Sequence, residues 1–411
     1  MTNTGKSKFT RRQFGWAALG FGAAGALGLG WTAVEEGRWR RKRQYDAAVQ
    51  PGVTGPNSLQ AHAAARGLLY GAAVDPELLD VEGVAKGHST DGYTHLLAAQ
   101  AGILVPENAM KWQTLRPTAD TFDFTQADRL MRFAKLTGKR VRGHNLCWHE
   151  SLPLWFWGTA NKENARQLLL EHIRVVAGYF RGQLHSWDVV NEAIEPADGR
   201  PDGLRATRWL ELIGPDYIEL AFRTAAEADP QAKLTYNDYA IETDSTWEAR
   251  KRDQVLALLE RLKASGTPIH AVGVQSHLDA AGPQPGAGLQ SFIREAGKMG
   301  LEVYITEMDV NCRGMMGGVA ERDAAVSQLY RNYLNLVLAE PNVPIALTWG
   351  ITSAHAWMNQ FDQRFERWPD FARQHPLPFD DDFNPMPAFL SLRGALDAAH
   401  PAAAATPASA Q

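Results

Sequence analysis

Eight short apolar runs, at residues 68–74, 103–107, 140–148, 185–191, 233–238, 271–277, 302–307 and 345–350, alternate with helical patterns along this chain. Leu168, Ile173, Val176, Ala177 and Phe180 fall at helical spacing, as do Val255, Leu258, Leu259 and Leu262. Strands separated by helices pair in parallel, because a parallel connection needs a long crossover. Eight such units fit a closed (β/α)8 TIM barrel of the α/β class, expected as a single domain over residues 59–398. An open doubly wound sheet is the competing arrangement. It would place a Gly-rich phosphate turn after the first strand, and Gly71-Ala72-Ala73-Val74 is not one.

A barrel of this kind gathers its chemistry at the carboxyl ends of its strands. The runs turn polar at that end: Glu107 and Asn108, the stretch from His144 to His149, Asn191 and Glu192, Asn237 and Asp238, Gln275 and His277, Glu307 and Asp309, and Trp349. Glu192 and Glu307 each follow a run expected to be buried, and a buried carboxylate is costly unless paired or used. One alone reads equally well as half of a structural ion pair. Two, on the fourth and seventh runs, face each other across the mouth. That arrangement matches glycoside hydrolysis, in which two carboxyls bracket the scissile bond, about 5–5.5 Å apart on the covalent retaining route.

The balance of 42 Lys and Arg against 46 Asp and Glu leaves no basic excess, so nucleic-acid binding has little electrostatic support. Thirteen tryptophans offer sugar-stacking faces, although most are expected in the core, and Phe122, Phe124, Trp155 and Trp157 read as packing. Cys147 and Cys312 allow at most one bridge, and each falls in or beside a buried run, which argues against it. Residues 1–36 hold Lys6, Lys8, the sequence Thr10-Arg11-Arg12-Gln13-Phe14 and a small-residue apolar stretch. They resemble a twin-arginine export signal, which implies an export machinery as partner and a periplasmic or secreted destination. A membrane anchor is the alternative, and an uncleaved segment would retain the protein. Residues 37–58 read as a basic segment and linker, and 399–411 as a disordered Ala/Pro tail. The chain is expected to act as a monomer.

Longer motifs are more specific. Pro106-Glu107-Asn108-Ala109-Met110-Lys111-Trp112, Arg142-Gly143-His144-Asn145-Leu146, Trp148-His149 and the segment from Trp187 to Ala193 come first. Tyr236-Asn237-Asp238-Tyr239, Gly273-Val274-Gln275-Ser276-His277-Leu278 and Ile305-Thr306-Glu307-Met308-Asp309 follow. In this order they resemble the glycoside hydrolase family 10 xylanases over roughly residues 60–398. The resemblance implies Glu192 as acid/base, Glu307 as nucleophile, and Asn191 at the 2-hydroxyl of the cleaved sugar. It implies Gln275 beside the acid/base and His277 beside the nucleophile. Glu107, Asn108 and Lys111 match the set that holds the second sugar on the non-reducing side. His144 and Trp148 would line the glycone subsites, with Trp349 and Trp357 as aromatic floor and wall. Without the resemblance, Glu107 and Lys111 read as a surface ion pair and His144 as a core histidine. Xylan or xylo-oligosaccharides are the implied substrate, with no organic cofactor and no catalytic metal.

The chain departs from the family pattern at Ser151, where an amide is usual, at Ser353 and Ala356 between the two tryptophans, and at Met386-Pro387-Ala388. These changes predict altered glycone binding rather than a different reaction. A metal-dependent barrel hydrolase using His144, His149 and His277 lacks the His-x-His pair at its first strand. A sugar-binding protein without chemistry would have lost a carboxylate, and both remain. A cellulose- or mannan-cleaving relative fits less well, because the resemblance implies that the Glu107-Asn108-Lys111 set packs where a hexose would carry its hydroxymethyl group.

Overall fold

The computed structural model describes residues 29–359 and 373–401. Its strands are β1 (Leu69–Val74), β2 (Ile103–Pro106), β3 (Arg140–Cys147), β4 (Ser186–Asn191), β5 (Lys233–Asp238), β6 (Ala271–Val274), β7 (His277–Asp279), β8 (Glu302–Asn311) and β9 (Ile345–Thr348). All pairings are parallel, in the order β6-β5-β4-β3-β2-β1-β9-β8, and a β6–β8 pairing closes the ring. Eight strands with intervening helices make the TIM barrel expected from the alternation of patterns. The sixth run is the exception. It breaks after Val274, and His277–Asp279 forms the short β7 alongside the upper part of β8. Ser276 at the break has φ +68°, a left-handed conformation that ends the strand and turns the chain.

The apolar spacing does what it implies. In the helix Thr246–Ala264, Val255, Leu258, Leu259 and Leu262 are all buried against the sheet, while Ser245 caps its first turn through the Glu248 N–H at 3.2 Å. The helix Ala165–Tyr179 buries Ile173, Val176 and Ala177 in the same way. Gly143 on β3 is required by packing: a Cβ there would lie 2.1 Å from the Trp187 ring on β4. A separate cluster inside the barrel includes Ala73, Ile103, Val105, Tyr304, Leu347 and, uppermost, Trp349. The interior is less apolar than the runs suggest. Arg142 and Asp188, each 1% exposed, form an ion pair within it, and His144 Nδ1 lies 3.0 Å from the other Asp188 oxygen. Mutual pairing is what makes these charges tolerable there.

Two compact units divide the chain, residues 1–40 and 41–411. The export-signal reading falls mostly on residues 1–28, outside those described. Among described residues no helix is long and apolar enough to cross a membrane. The helix Leu29–Ala48 carries the basic cluster, with Arg38, Trp39, Arg41, Lys42 and Arg43 exposed. Where the sequence reads a linker, the chain packs onto the barrel: Ala47, Ala48 and Val53 are buried, and the Gln100 amide donates to Val53 O at 2.6 Å and accepts from Leu59 N at 2.9 Å. Turn residues set the local path, and burial of Val53 fixes it in place. Cys147 and Cys312 are both free and buried. The tail from 402 onward lies outside the described residues.

Candidate active site

Glu192 immediately follows β4, and Glu307 lies within β8, the seventh strand of the ring. Their environments differ. Glu192 adopts φ +58°, uncommon for a side-chain-bearing residue. Two contacts hold it there: its N–H donates to Asn237 O at 2.8 Å, and its carbonyl accepts from Arg205 Nε at 2.8 Å. Its Oε1 accepts from Gln275 Nε2 at 3.0 Å and from Asn191 Nδ2 at 3.1 Å. Burial raises its pKa above the usual carboxylate value, opposed by the Gln275 bond and reinforced by the negative charges of Asp238 and Glu307.

Glu307 is buried too, and burial alone would raise it. A hydrogen bond from His277, the charges of His144 and His277, and a hydrogen bond from Asn237 outweigh that, and its pKa falls to about 2. His277 Nε2 is 3.4 Å from Glu307 Oε2, and its Nδ1 is 2.8 Å from Asp309 Oδ1. Burial works against the imidazolium, but the two flanking carboxylates dominate and raise its pKa well above the ordinary value. The two carboxyls are therefore pushed apart, Glu192 toward retaining its proton and Glu307 toward ionisation beside a histidine cation, the division of labour that acid/base chemistry requires.

The two carboxyls are joined through two amides. Asn237 Nδ2 donates to Glu307 Oε1 and to Asn191 Oδ1, both at 2.8 Å, while its Oδ1 accepts from Thr306 Oγ1 at 2.8 Å. Every Asn237 polar atom is thus committed, and its orientation is fixed. Asn191 in turn directs its Nδ2 at Glu192. Gly273 makes room for this bridge, because a Cβ there would sit 2.1 Å from Asn237 Oδ1. Gly273→Ala should push Asn237 off both partners and lower kcat about 10²-fold, the cost of misplacing a reacting group by about 1 Å. Steady-state kinetics beside a thermal melt checks this; an unshifted kcat in a folded variant would remove the bridge from the mechanism.

The remaining predicted residues share the same rim. Lys111 is 9% exposed, donates to Asn108 Oδ1 at 3.0 Å, and places Nζ 5.1 Å from the Trp148 ring centre and 6.0 Å from that of Trp349. Burial lowers its pKa, against the attraction of Glu307, Glu107 and Glu192. Glu107, half-buried, is pushed up to about 7 by desolvation despite Lys111, with Asp75 adding to the rise. The surface ion-pair reading therefore gives way to a Lys111 that faces the cleft. His144 meets Trp349 edge-on at 5.4 Å. Trp357, 38% exposed, donates from Nε1 to Asp309 Oδ2 at 2.7 Å and lies 5.6 Å from the His277 ring. Asn108 is exposed at the edge. Of the departures, Ser353 and Ala356 are buried, and Ser151 takes φ +54°.

Sequence reasoning passed over several supports. Asn237 and Asp309 were visible as polar strand ends without an assigned task. Arg205 lies on a loop with no periodic signal; besides the Glu192 carbonyl it reaches Tyr239 OH at 2.9 Å. Glu242, buried, accepts the N–H of Ser276 at 2.9 Å and so clamps the residue between Gln275 and His277. Among described residues no group of three or more His, Cys, Asp or Glu converges to hold a metal.

Known proteins show the same framework. The model of glycosyl hydrolase family 10 matches residues 58–395. A β-1,4-xylanase of Dictyoglomus thermophilum is 35% identical over 310 residues, covering 73% of this chain and 83% of its own. The crystal structure of xylanase 10B from Thermotoga maritima superimposes with a TM-score of 0.72 at 32% identity, covering 83% of this chain and 98% of its own. Xylanase 10B of Thermotoga petrophila, solved in complex with xylobiose, gives a TM-score of 0.72 at 31% identity, covering 83% and 97%. With the match running nearly the whole length of the barrel, the chain belongs to glycosyl hydrolase family 10.

Proposed function

We propose that the protein is a retaining endo-1,4-β-xylanase, with Glu307 as nucleophile and Glu192 as acid/base. The observation that carries this is the pair of carboxyls at one barrel mouth, the pKa of one raised by burial and that of the other lowered by His277 and Asn237. In the first step Glu307 attacks the anomeric carbon as Glu192 gives its proton to the departing glycosidic oxygen, leaving a glycosyl ester on Glu307. In the second, Glu192 takes a proton from water, which attacks the same carbon and frees Glu307. Glu192 ends protonated, Glu307 ends ionised, and two inversions give net retention.

Asn191 lies beside Glu192, where its amide donates to the sugar 2-hydroxyl as positive charge develops at the ring. Glu107, Asn108, Lys111, His144, Trp148, Trp349 and Trp357 hold the glycone half. The relatives named above support xylan as substrate, as does the neighbour solved in complex with xylobiose. Residues 1–36 are read as an export segment that delivers the enzyme outside the cytoplasm, where polymeric xylan is found, and the chain is read as a monomer.

Proton NMR of xylotetraose digestion tests the central claim. The β-anomer of the new reducing end should appear first and then mutarotate. First appearance of the α-anomer would refute the double displacement, and faster cleavage of cellotetraose would refute the substrate.

A further inference from the structure

We infer that Trp247 is a sugar-stacking platform for the leaving half of the substrate chain, at a position beyond the sugar that receives the proton from Glu192. The inference rests on the xylanase reading and deepens it. Each strand of the barrel climbs to the mouth and each following helix descends, so the first turn of Thr246–Ala264 stands at the rim above β5. Trp247 and Lys251 are four residues apart and share one helix face. Lys251 is wholly buried, with Nζ 2.7 Å from Asp238 at the end of β5, so that face packs against the outer side of the top of β5. Trp247, one turn nearer the rim, therefore stands beside the top of β5, and it keeps 40% of its surface exposed.

Its surroundings join it to the reacting centre. Lys251 Nζ lies 3.9 Å from the Tyr239 ring centre and 5.9 Å from that of Trp247, so the two rings flank one immobile cation. Tyr239 OH accepts from Arg205, whose Nε holds the Glu192 carbonyl. From Glu192 the path runs outward through Tyr239 to Trp247. The proposed glycone residues follow β2, β3 and β9, which lie on one arc of the ring with β1. The substrate half that departs with the Glu192 proton must leave over the other arc, where β5 stands. An exposed indole there presents a flat apolar face to the axial C–H bonds of a xylose ring, which carries no hydroxymethyl group to obstruct contact.

The test compares wild type, Trp247→Ala and Trp247→Phe on p-nitrophenyl xylobioside, whose leaving group is too short to reach the platform, and on xylopentaose. Trp247→Ala should lower kcat/KM on xylopentaose about ten-fold more than on the aryl substrate, a differential of about 1.4 kcal/mol. Trp247→Phe should recover part of that difference. With xylopentaose labelled at its reducing end, the cut should move toward that end in Trp247→Ala, because holding two leaving-side sugars is no longer favoured. Equal losses on both substrates would assign Trp247 to packing and overturn the proposal, as would equal activity on xylopentaose. Wild type inert on both substrates would overturn the xylanase reading and this inference together.

Discussion

Glu307→Ala should lose activity on aryl xylobiosides by on the order of 10⁶-fold, the scale seen when a covalent nucleophile is deleted. Among the described residues beside it none substitutes for it. His277 carries positive charge and is engaged by Asp309, Asn237 is an amide with every polar atom committed, and Asp309 is occupied by His277 and Trp357. The vacated space is lined by donors, Asn237 Nδ2 and His277 Nε2, that would welcome an anion. Added azide should therefore enter it, attack the anomeric carbon from the side Glu307 used, and release an α-glycosyl azide. Glu307→Gln keeps the shape without a nucleophilic oxygen and leaves no room for azide, so it should be equally inactive and unrescued. Retention of more than about a hundredth of wild-type turnover by Glu307→Ala, with no azide effect, would move the nucleophile elsewhere.

How far the sequence discloses this site depends on the range of the interactions involved. The barrel was legible because apolar periodicity is local, and seven of the eight runs coincide with strands to within a few residues. The sixth divides because Ser276 takes a left-handed turn stabilised by Glu242, which lies 34 positions earlier and carries no pattern of its own. Glu192 and Glu307 were legible because a lone acid at the end of a buried run contradicts its surroundings. What made them unlike was not. The left-handed backbone of Glu192 depends on Asn237 and Arg205, and the low pKa of Glu307 on His277 and Asn237, all brought near only by ring closure. Asp188 shows the same limit from inside a strand. Between Trp187 and Val189 it reads as an interruption, and only the fold reveals Arg142 and His144 on either side of it. Residues 50–58 show the converse error, since Pro and Gly mark turns whether or not a neighbouring side chain such as Gln100 ties those turns down.

Glu192→Ala should show a loss that depends on the leaving group. A nitrophenolate departs readily without a proton, whereas the alkoxide of a xylose chain does not, so kcat/KM should fall about 10²- to 10⁴-fold on xylotetraose and far less on dinitrophenyl xylobioside. Turnover of the activated substrate should still slow, because the glycosyl ester on Glu307 then waits for water with no base beside it. Azide needs no base. It should attack that ester and release a β-glycosyl azide, the opposite anomer from the Glu307→Ala product. The pH profile supplies a second reading. In wild type, kcat/KM requires Glu307 ionised, giving an acid limb toward its pKa of about 2, and Glu192 protonated, giving a basic limb above the ordinary carboxyl value of 4.5. Removing Glu192 should erase the basic limb and leave the acid limb in place. A basic limb that persists in Glu192→Ala, or equal losses on good and poor leaving groups, would show that another group delivers the proton, and Arg205, Gln275 and Asn191 would then be positioning the wrong residue.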